Sequence, residues 1–379
     1  MNEIIGRPQG LQQRHLLIDG LNLARGGGVV VMRRIALAFI SAGYRVTLLT
    51  ARDLPWTDLA DSDVEVIVEP KARGGLRAMA YRRYRLNALA RQIGANALLG
   101  FNYHSQVALP QVTYHINIIP FLNFSTRCRT VGFSRAVMQW LAAKAALLRS
   151  TANIFESHYV RSLAARRVAA IRNPTVAYIG TEFPNQAQSR GIQRLSGPFV
   201  TVTSGARHKR NDLTIAFFRR MLFTEPDATL MIIGDVAAIR ASLSKEDRDF
   251  ADTSPAISFR GYISRDELYE ALAEARALLV FSELESFFMV AIEAMSVGCP
   301  IIAADNTSIR ESVGTAGLLV PSGDVELAVS KARSLTTPET FALYEEAGRD
   351  WASNFEANKC AEAFVAAFES AIWPKSEIK

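Results

Sequence analysis

The stretch HLLIDGLNLARGGGVVVMRRIALAFISAGYRVTLLT, residues 15–50, limits the fold more than any other part of the chain. An apolar run of strand length ends in a glycine-rich loop, a segment of helical period follows, a Gly turn closes it, and a second apolar run begins. A helix between two such runs returns the chain to the same end of a sheet, so the pattern predicts a parallel α/β unit with both sheet faces covered. Val64–Val68, Asn96–Gly100 and Val112–His115 continue the series of strands. An Arg-rich helical stretch over 76–93 and a long helix over Ser134–Arg149 accompany them, and ANIFES (152–157) and TVAYIG (175–180) end this half.

From Pro198 the alternation restarts with FVTVTSG, a helix near Asp212–Leu222, then TLMIIGD, AISFRGY, SRDELYEALAEA, ALLVFS, PIIAAD and LLVPSGD. The intervening EFPNQAQSRGIQRLSG, 182–197, has linker composition. A length of 379 residues exceeds what one core usually supports. The expected organisation is a Rossmann-like domain over 1–183, a linker over 184–197, a second over 198–355, and a helix over 356–379 that could cross back to the first. The fold class is therefore α/β, with two doubly wound parallel-sheet domains facing across a cleft. Ligands of such sheets sit beyond the carboxyl ends of the strands.

No stretch reaches the roughly 18–20 apolar residues of a bilayer-spanning helix, and MNEIIGRPQGLQQRH lacks a signal-peptide core, so a cytoplasmic location is expected. Cys128, Cys299 and Cys360 have no metal-ligand spacing and make no even disulfide set. The net charge of +6 divides unevenly, with +13 over residues 1–183 and −7 over the remainder. Between Glu69 and Glu156 there is no acidic residue, while basic residues recur from Lys71 to Arg149. Such a single-sign segment suits an anionic partner, nucleic acid or an anionic membrane face, and a solvated basic face is the plain alternative.

ESFFMVAIEAMSVGCP, 285–300, places two acids in an otherwise apolar segment. Glu285 is expected in a strand-to-helix loop and Glu293 about two turns into the helix, on the same side. Between them Ser286, Phe287, Phe288 and Met289 would carry backbone N–H groups at a helix start, where the dipole favours anions and hydroxyl oxygens. As an isolated pair, the two acids read equally well as surface or capping residues.

The surrounding residues resemble a known family. SELESFFMVAIEAMSVGCPIIAADNTSIRESVGTAGLLVPSGD and ISFRGYISRDELYEALAEARALLVFS are similar to the carboxyl-terminal signature of glycosyltransferase family four, retaining enzymes of the GT-B fold. The resemblance covers about 198–325 and is loose in the first half. It implies an acceptor domain over 1–183 and a nucleotide-sugar domain over 198–355. By the same resemblance Glu293 would bind the ribose hydroxyls, Glu285 the donor sugar's hydroxyls, and backbone donors near Phe287–Met289 the diphosphate or sugar between. Ser286 and Phe288 stand where the family has small glycines, which implies a differently shaped sugar pocket.

In TSGARHKRND, 203–212, Arg207 and Lys209 look like the family's diphosphate pair, cations placed where negative charge develops on the leaving group. His115, ending QVTYHIN, resembles a family histidine near the reacting carbon, with a structural histidine as the alternative. Gly27, in the Gly26–Gly28 loop, would face the donor phosphates or the acceptor. The loop is neither G-x-G-x-x-G nor a P-loop. Asp61-Ser62-Asp63 matches the D-x-D metal signature of another fold, by chance on its context.

The resemblance implies a metal-independent hexosyltransferase without cofactor. It would move a hexose from a GDP- or UDP-sugar to a lipid-linked glycan acceptor, peripheral on the inner face of an anionic membrane. GFSRAVMQWLAAKAALLRS, 132–150, is a basic amphipathic candidate for that surface, or packs internally. No nucleic acid is expected as partner. The alternatives are a nucleotide-sugar epimerase, a soluble-acceptor transferase, or a non-catalytic protein binding nucleotide sugar or nucleic acid.

Overall fold

The structure, a computed structural model, describes residues 14–23, 27–54, 64–184 and 191–373. It divides into two compact units: Met1–Glu156 with Leu163–Ile179 and Ala361–Lys379, and Ser157–Ser162 with Gly180–Cys360.

Among the described residues, β1 (His15–Asp19), β2 (Arg45–Thr50), β3 (Val64–Val68), β4 (Ala97–Phe101), β5 (Gln111–His115), β6 (Ala152–Phe155) and β7 (Pro174–Val176) form the first unit's sheet. Its order is β3-β2-β1-β4-β5-β6-β7, parallel throughout. Side chains of a strand alternate between faces, and β1 shows the result. Leu16 and Ile18 join Phe39 of the helix Gly27–Ser41, whereas Leu17 joins Ala78 and Leu86 of the helices Gly75–Tyr84 and Leu86–Gln92 on the other face. Phe364 and Phe368 of the helix Ala357–Ile372 complete the first of these faces, edge-on to Tyr114 at 5.0 Å and to Phe39 at 4.8 Å.

In the second unit β8 (Phe199–Val202), β9 (Leu230–Ile233), β10 (Ile257–Arg260), β11 (Ala277–Val280), β12 (Ile301–Ala304) and β13 (Leu318–Val320) take the order β10-β9-β8-β11-β12-β13. These strands are also parallel. Both sheets reverse their winding once, between β1 and β4 and between β8 and β11, and the loops beyond those strand ends are where a doubly wound sheet leaves room for a ligand.

The unit boundaries differ from those expected. Residues 191–197 are no linker: the turn Gly191–Ser196 carries Arg194, which is 1% exposed and donates to the carbonyls of Val297 at 3.2 Å and Leu272 at 3.1 Å. A polar composition hid this because the group that enters the core is a guanidinium whose two terminal nitrogens find main-chain acceptors and the Glu345 carboxylate. Residues 185–190, Asp61-Ser62-Asp63 and Gly26 lie outside the described residues. The second unit also takes in Ser157–Ser162 and begins again at Gly180.

Candidate functional site

The second unit's loops beyond β8, β11 and β12 are tied to one another. After β8 the chain turns through Thr203–Gly205, and Gly205 packs so closely that a Cβ there would lie 2.2 Å from the Ala238 carbonyl oxygen. Gly234, beyond β9 at φ 143°, would bring a Cβ to 2.1 Å from the Thr203 carbonyl oxygen. Asn211 locks the same loop: its carboxamide accepts from Thr203 Oγ1 at 2.7 Å and donates to the Ser204 carbonyl at 2.8 Å. The turn Arg207–Lys209 follows, and Arg210 enters the next helix in the left-handed conformation, bonded to Asp212 at 2.8 Å and to Glu283. Glu283 N–H in turn donates to the His208 carbonyl at 2.7 Å. Burial first, then the Lys209 ammonium, hold the His208 imidazole below its usual range.

Lys209 Nζ meets Glu285 Oε1 at 2.7 Å, with both side chains largely buried, and the ammonium lies 5.5 Å from the Phe288 ring centre. Arg207 is exposed, and its guanidinium has no hydrogen-bond or ion-pair partner among the described residues. The two cations singled out in the sequence therefore differ, one fixed by a carboxylate and one open to solvent.

The 285–288 segment is irregular, with a bend at Ser286, and the helix starts at Met289. Glu293 is its fifth residue, little more than one turn in rather than two. A set of short polar side chains holds the segment. Ser308 Oγ donates to the Glu285 carbonyl at 2.8 Å, Glu285 N–H reaches Thr307 Oγ1 at 3.4 Å, and Ser157 Oγ donates to the Ser286 carbonyl at 2.6 Å. Phe288 N–H donates to Ser312 Oγ at 2.9 Å, so this expected ligand donor is used within the protein. Phe287 and Phe288 are each 6% exposed, Phe287 lying 5.5 Å from Phe355, while Ser286 and Met289 are half-buried. Thr307 adopts φ 43°, a strained choice for a β-branched residue that the packing around it must hold in place.

Glu293 is buried and sits in a different group. Its Oε1 accepts from Thr181 Oγ1 at 3.2 Å, and Arg265 Nη2 donates to Thr181 Oγ1 at 2.7 Å and to the Glu182 carbonyl at 2.7 Å. Tyr269 OH lies 3.1 Å from the same guanidinium nitrogen. The two acids are thus held by separate partners, Lys209 for Glu285 and the Thr181–Arg265–Tyr269 group for Glu293. Thr181, Arg265, Thr307, Ser308 and Ser312 were not singled out from the sequence. The only signal for them was the polar Asn-Thr-Ser run after β12 and the Thr-Glu pair after YIG.

In the first unit Gly27 opens the helix Gly27–Ser41, and a Cβ there would meet nothing within 4 Å. His115, expected either near the donor sugar or as a structural histidine, lies in the first unit's interior. It is fully buried, stacked on Phe155 at 4.8 Å and edge-on to Phe121 at 5.5 Å, with Nε2 2.9 Å from Asn153 Oδ1. Its Nδ1 is buried without a hydrogen-bond partner.

Two doubly wound parallel sheets in one chain define the GT-B fold class. Residues 198–337 match the family model described as glycosyl transferases group 1. The chain is 32% identical over 137 residues to the sulfoquinovosyl transferase SQD2 of Arabidopsis thaliana, 35% of this chain and 26% of that one. It is 29% identical over 114 residues to the O-antigen chain mannosyltransferase B of Escherichia coli, 30% of each. The chain thus spans under a third of the length of these two relatives. The crystal structure of Anabaena HepE in complex with UDP-glucose superposes with a TM-score of 0.71 at 16% identity, over 94% of this chain and 99% of that one. Among the described residues no helix is long and apolar enough to cross a membrane.

Proposed function

We propose that this chain is a group 1, retaining glycosyltransferase that moves a hexose from a GDP- or UDP-linked donor to a lipid-linked glycan acceptor. The observation that carries the reading is the Lys209–Glu285 pair at 2.7 Å, held beyond β8 and β11 at the second sheet's switch point, inside the segment that matches the family model. A cation pinned beside a sugar-facing acid supplies charge for a departing diphosphate without reorganising as the bond breaks. Arg207, unpaired and exposed, is the second cation, and together the two make a metal unnecessary in this reading. The leaving diphosphate takes the acceptor's proton, and no side chain acts as a covalent nucleophile. Glu293, oriented by Thr181 beside Arg265, takes the ribose hydroxyls.

The HepE likeness supports a nucleotide sugar as donor, because that relative of the fold is described with UDP-glucose bound. A lipid-linked acceptor and a position on the inner membrane face are supported by the first unit's surface. Phe124, Phe133, Leu141 and Leu148 are exposed there between Arg129, Lys144 and Arg149, without an acid in the segment. The helix Phe133–Arg149 at the same time buries Ala136, Ala143, Ala146 and Leu147, so its two faces have different surroundings.

Ligand-induced thermal stabilisation tests the donor site, since a ligand bound to the folded state raises its stability by mass action. UDP, UDP-glucose, GDP and GDP-mannose are compared. Glu293→Ala is expected to abolish the nucleoside diphosphate shift, and Glu285→Ala to remove only the extra shift that the sugar adds. Equal loss of both shifts in both variants would overturn the division of roles. A full donor shift with no transfer or hydrolysis would favour a non-catalytic nucleotide-sugar binder.

A further inference from the structure

The first unit contains a cavity of about 860 Å³ that none of the roles above uses. It opens where a doubly wound sheet takes its ligand, at the loops beyond β1 (Leu21–Leu23), β4 (Asn102 and Tyr103) and β5 (Ile116 and Asn117). Four guanidinium-bearing residues line it, Arg52, Arg73, Arg77 and Arg135, and no acidic residue does. None of the four guanidinium groups has a hydrogen-bond or ion-pair partner among the described residues, although the Arg73 N–H and the Arg52 carbonyl are used in backbone turns. Two other arginines of this unit do have counter-charges: Arg82 bonds Asp19 through two nitrogens, one at 2.9 Å, and Arg45 meets Glu65 at 3.1 Å. Like charges gathered without counter-charge around a concave wall repel one another and raise the local potential, an arrangement that an anion relieves. Arginine is also the cation whose fork of donors matches phosphate oxygens.

A second observation points to the same place. Gln139 lines the cavity, is 7% exposed, and its Oε1 is buried without a hydrogen-bond partner. A buried carboxamide oxygen without a donor is costly, and a ligand hydroxyl would satisfy it. The buried Arg82–Asp19 pair anchors the helix Gly75–Tyr84 to the end of β1, which fixes Arg77 on the same helix relative to the cavity floor.

We infer that this cavity binds a phosphate-bearing, hydroxylated ligand, the phosphate held by Arg52, Arg73, Arg77 and Arg135 and a neighbouring hydroxyl by Gln139. Calling this ligand the acceptor rests on the transferase reading above; the site itself does not. A volume of this size suits a sugar phosphate or the head of a polyprenyl-linked phosphate. The two sources share the chemistry and differ only in the lipid.

Calorimetric titration of the full chain with glucose 6-phosphate, glucose, inorganic phosphate, and phosphatidylcholine vesicles with and without polyprenyl phosphate tests it. Phosphate-bearing probes are expected to bind and glucose not to. The double variant Arg77→Ala/Arg135→Ala should weaken that binding about tenfold or more. Both positions are exposed, so the variant should fold, as circular dichroism would verify. Gln139→Leu should weaken glucose 6-phosphate and leave inorganic phosphate unchanged. Saturation by glucose 6-phosphate identifies a free sugar phosphate, and saturation only by doped vesicles identifies the lipid-linked one. Absence of saturable binding by every phosphate-bearing probe, equal affinity for glucose and glucose 6-phosphate, or indifference to the arginine substitutions would overturn it. Nucleoside diphosphate binding on the same samples keeps the two readings apart: its absence sinks the transferase and not the cavity.

Discussion

His115 keeps its imidazole between Phe155 and Phe121, where burial pulls its pKa down to about 4 against the opposing effect of its hydrogen bond to Asn153 Oδ1. The folded state therefore holds this ring neutral over a range in which the unfolded chain, near 6.5, binds a proton. Stability from this group is fully present above about pH 6.5 and falls as pH drops toward about 4, by on the order of 3 kcal/mol over that window. Comparing urea midpoints of the wild type and His115→Phe across this range isolates the term, because the variant should lose less stability on acidification. Reading the sequence singled out Lys209 and Glu285, now found in contact, because charged residues at strand ends in an apolar text stand out. It could not single out Thr307, Ser308 or Ser312, whose hydroxyls hold the 285–288 segment, since serine and threonine look alike whether they cap, bind or face water. Arg194 was hidden for the opposite reason, a charge being the last group expected inside.

The element that decides the second unit's site is the loop after β8. Gly205 lies against Ala238 with no space for a Cβ, and Asn211 ties Thr203 and Ser204. Gly205→Ala should push the loop away from the helix Val236–Ser242 and cost about 1–3 kcal/mol by overpacking, with weaker nucleotide binding as Lys209 moves off Glu285. Chemical denaturation and the donor thermal shift would check both effects, and an unchanged pair would show that the loop's backbone is free to move. The strands themselves were legible because each apolar run ends at a Gly or polar loop, whereas their order within each sheet was not read from the sequence. Helix starts were less so. The one after β11 slips to Met289 because hydrogen bonds from Ser157 and from the 307–312 segment, distant in sequence, hold the preceding residues in an irregular path. The break between the helices Gly75–Tyr84 and Leu86–Gln92 had no sequence signal at all.

Across the molecule the charge is divided, +13 over residues 1–183 against −7 over the rest. On the membrane-facing proposal, the chain should sediment with phosphatidylglycerol vesicles and release as salt rises, because exposed charges are screened within about 8 Å at physiological ionic strength. Phe133→Ser and Leu141→Ser, at positions 67% and 59% exposed, should each lower vesicle partitioning about tenfold without lowering stability. Partitioning that ignores these substitutions, or binding equally to neutral vesicles, would remove the proposal. Phe364 and Phe368 have a further bearing on how the chain is made. They seat against Tyr114 and Phe39 from far along the chain, so the first sheet leaves the ribosome long before these packing partners do. The nascent first unit must keep an apolar face uncovered until Phe364 and Phe368 have emerged, and that waiting period is when the chain most needs a chaperone.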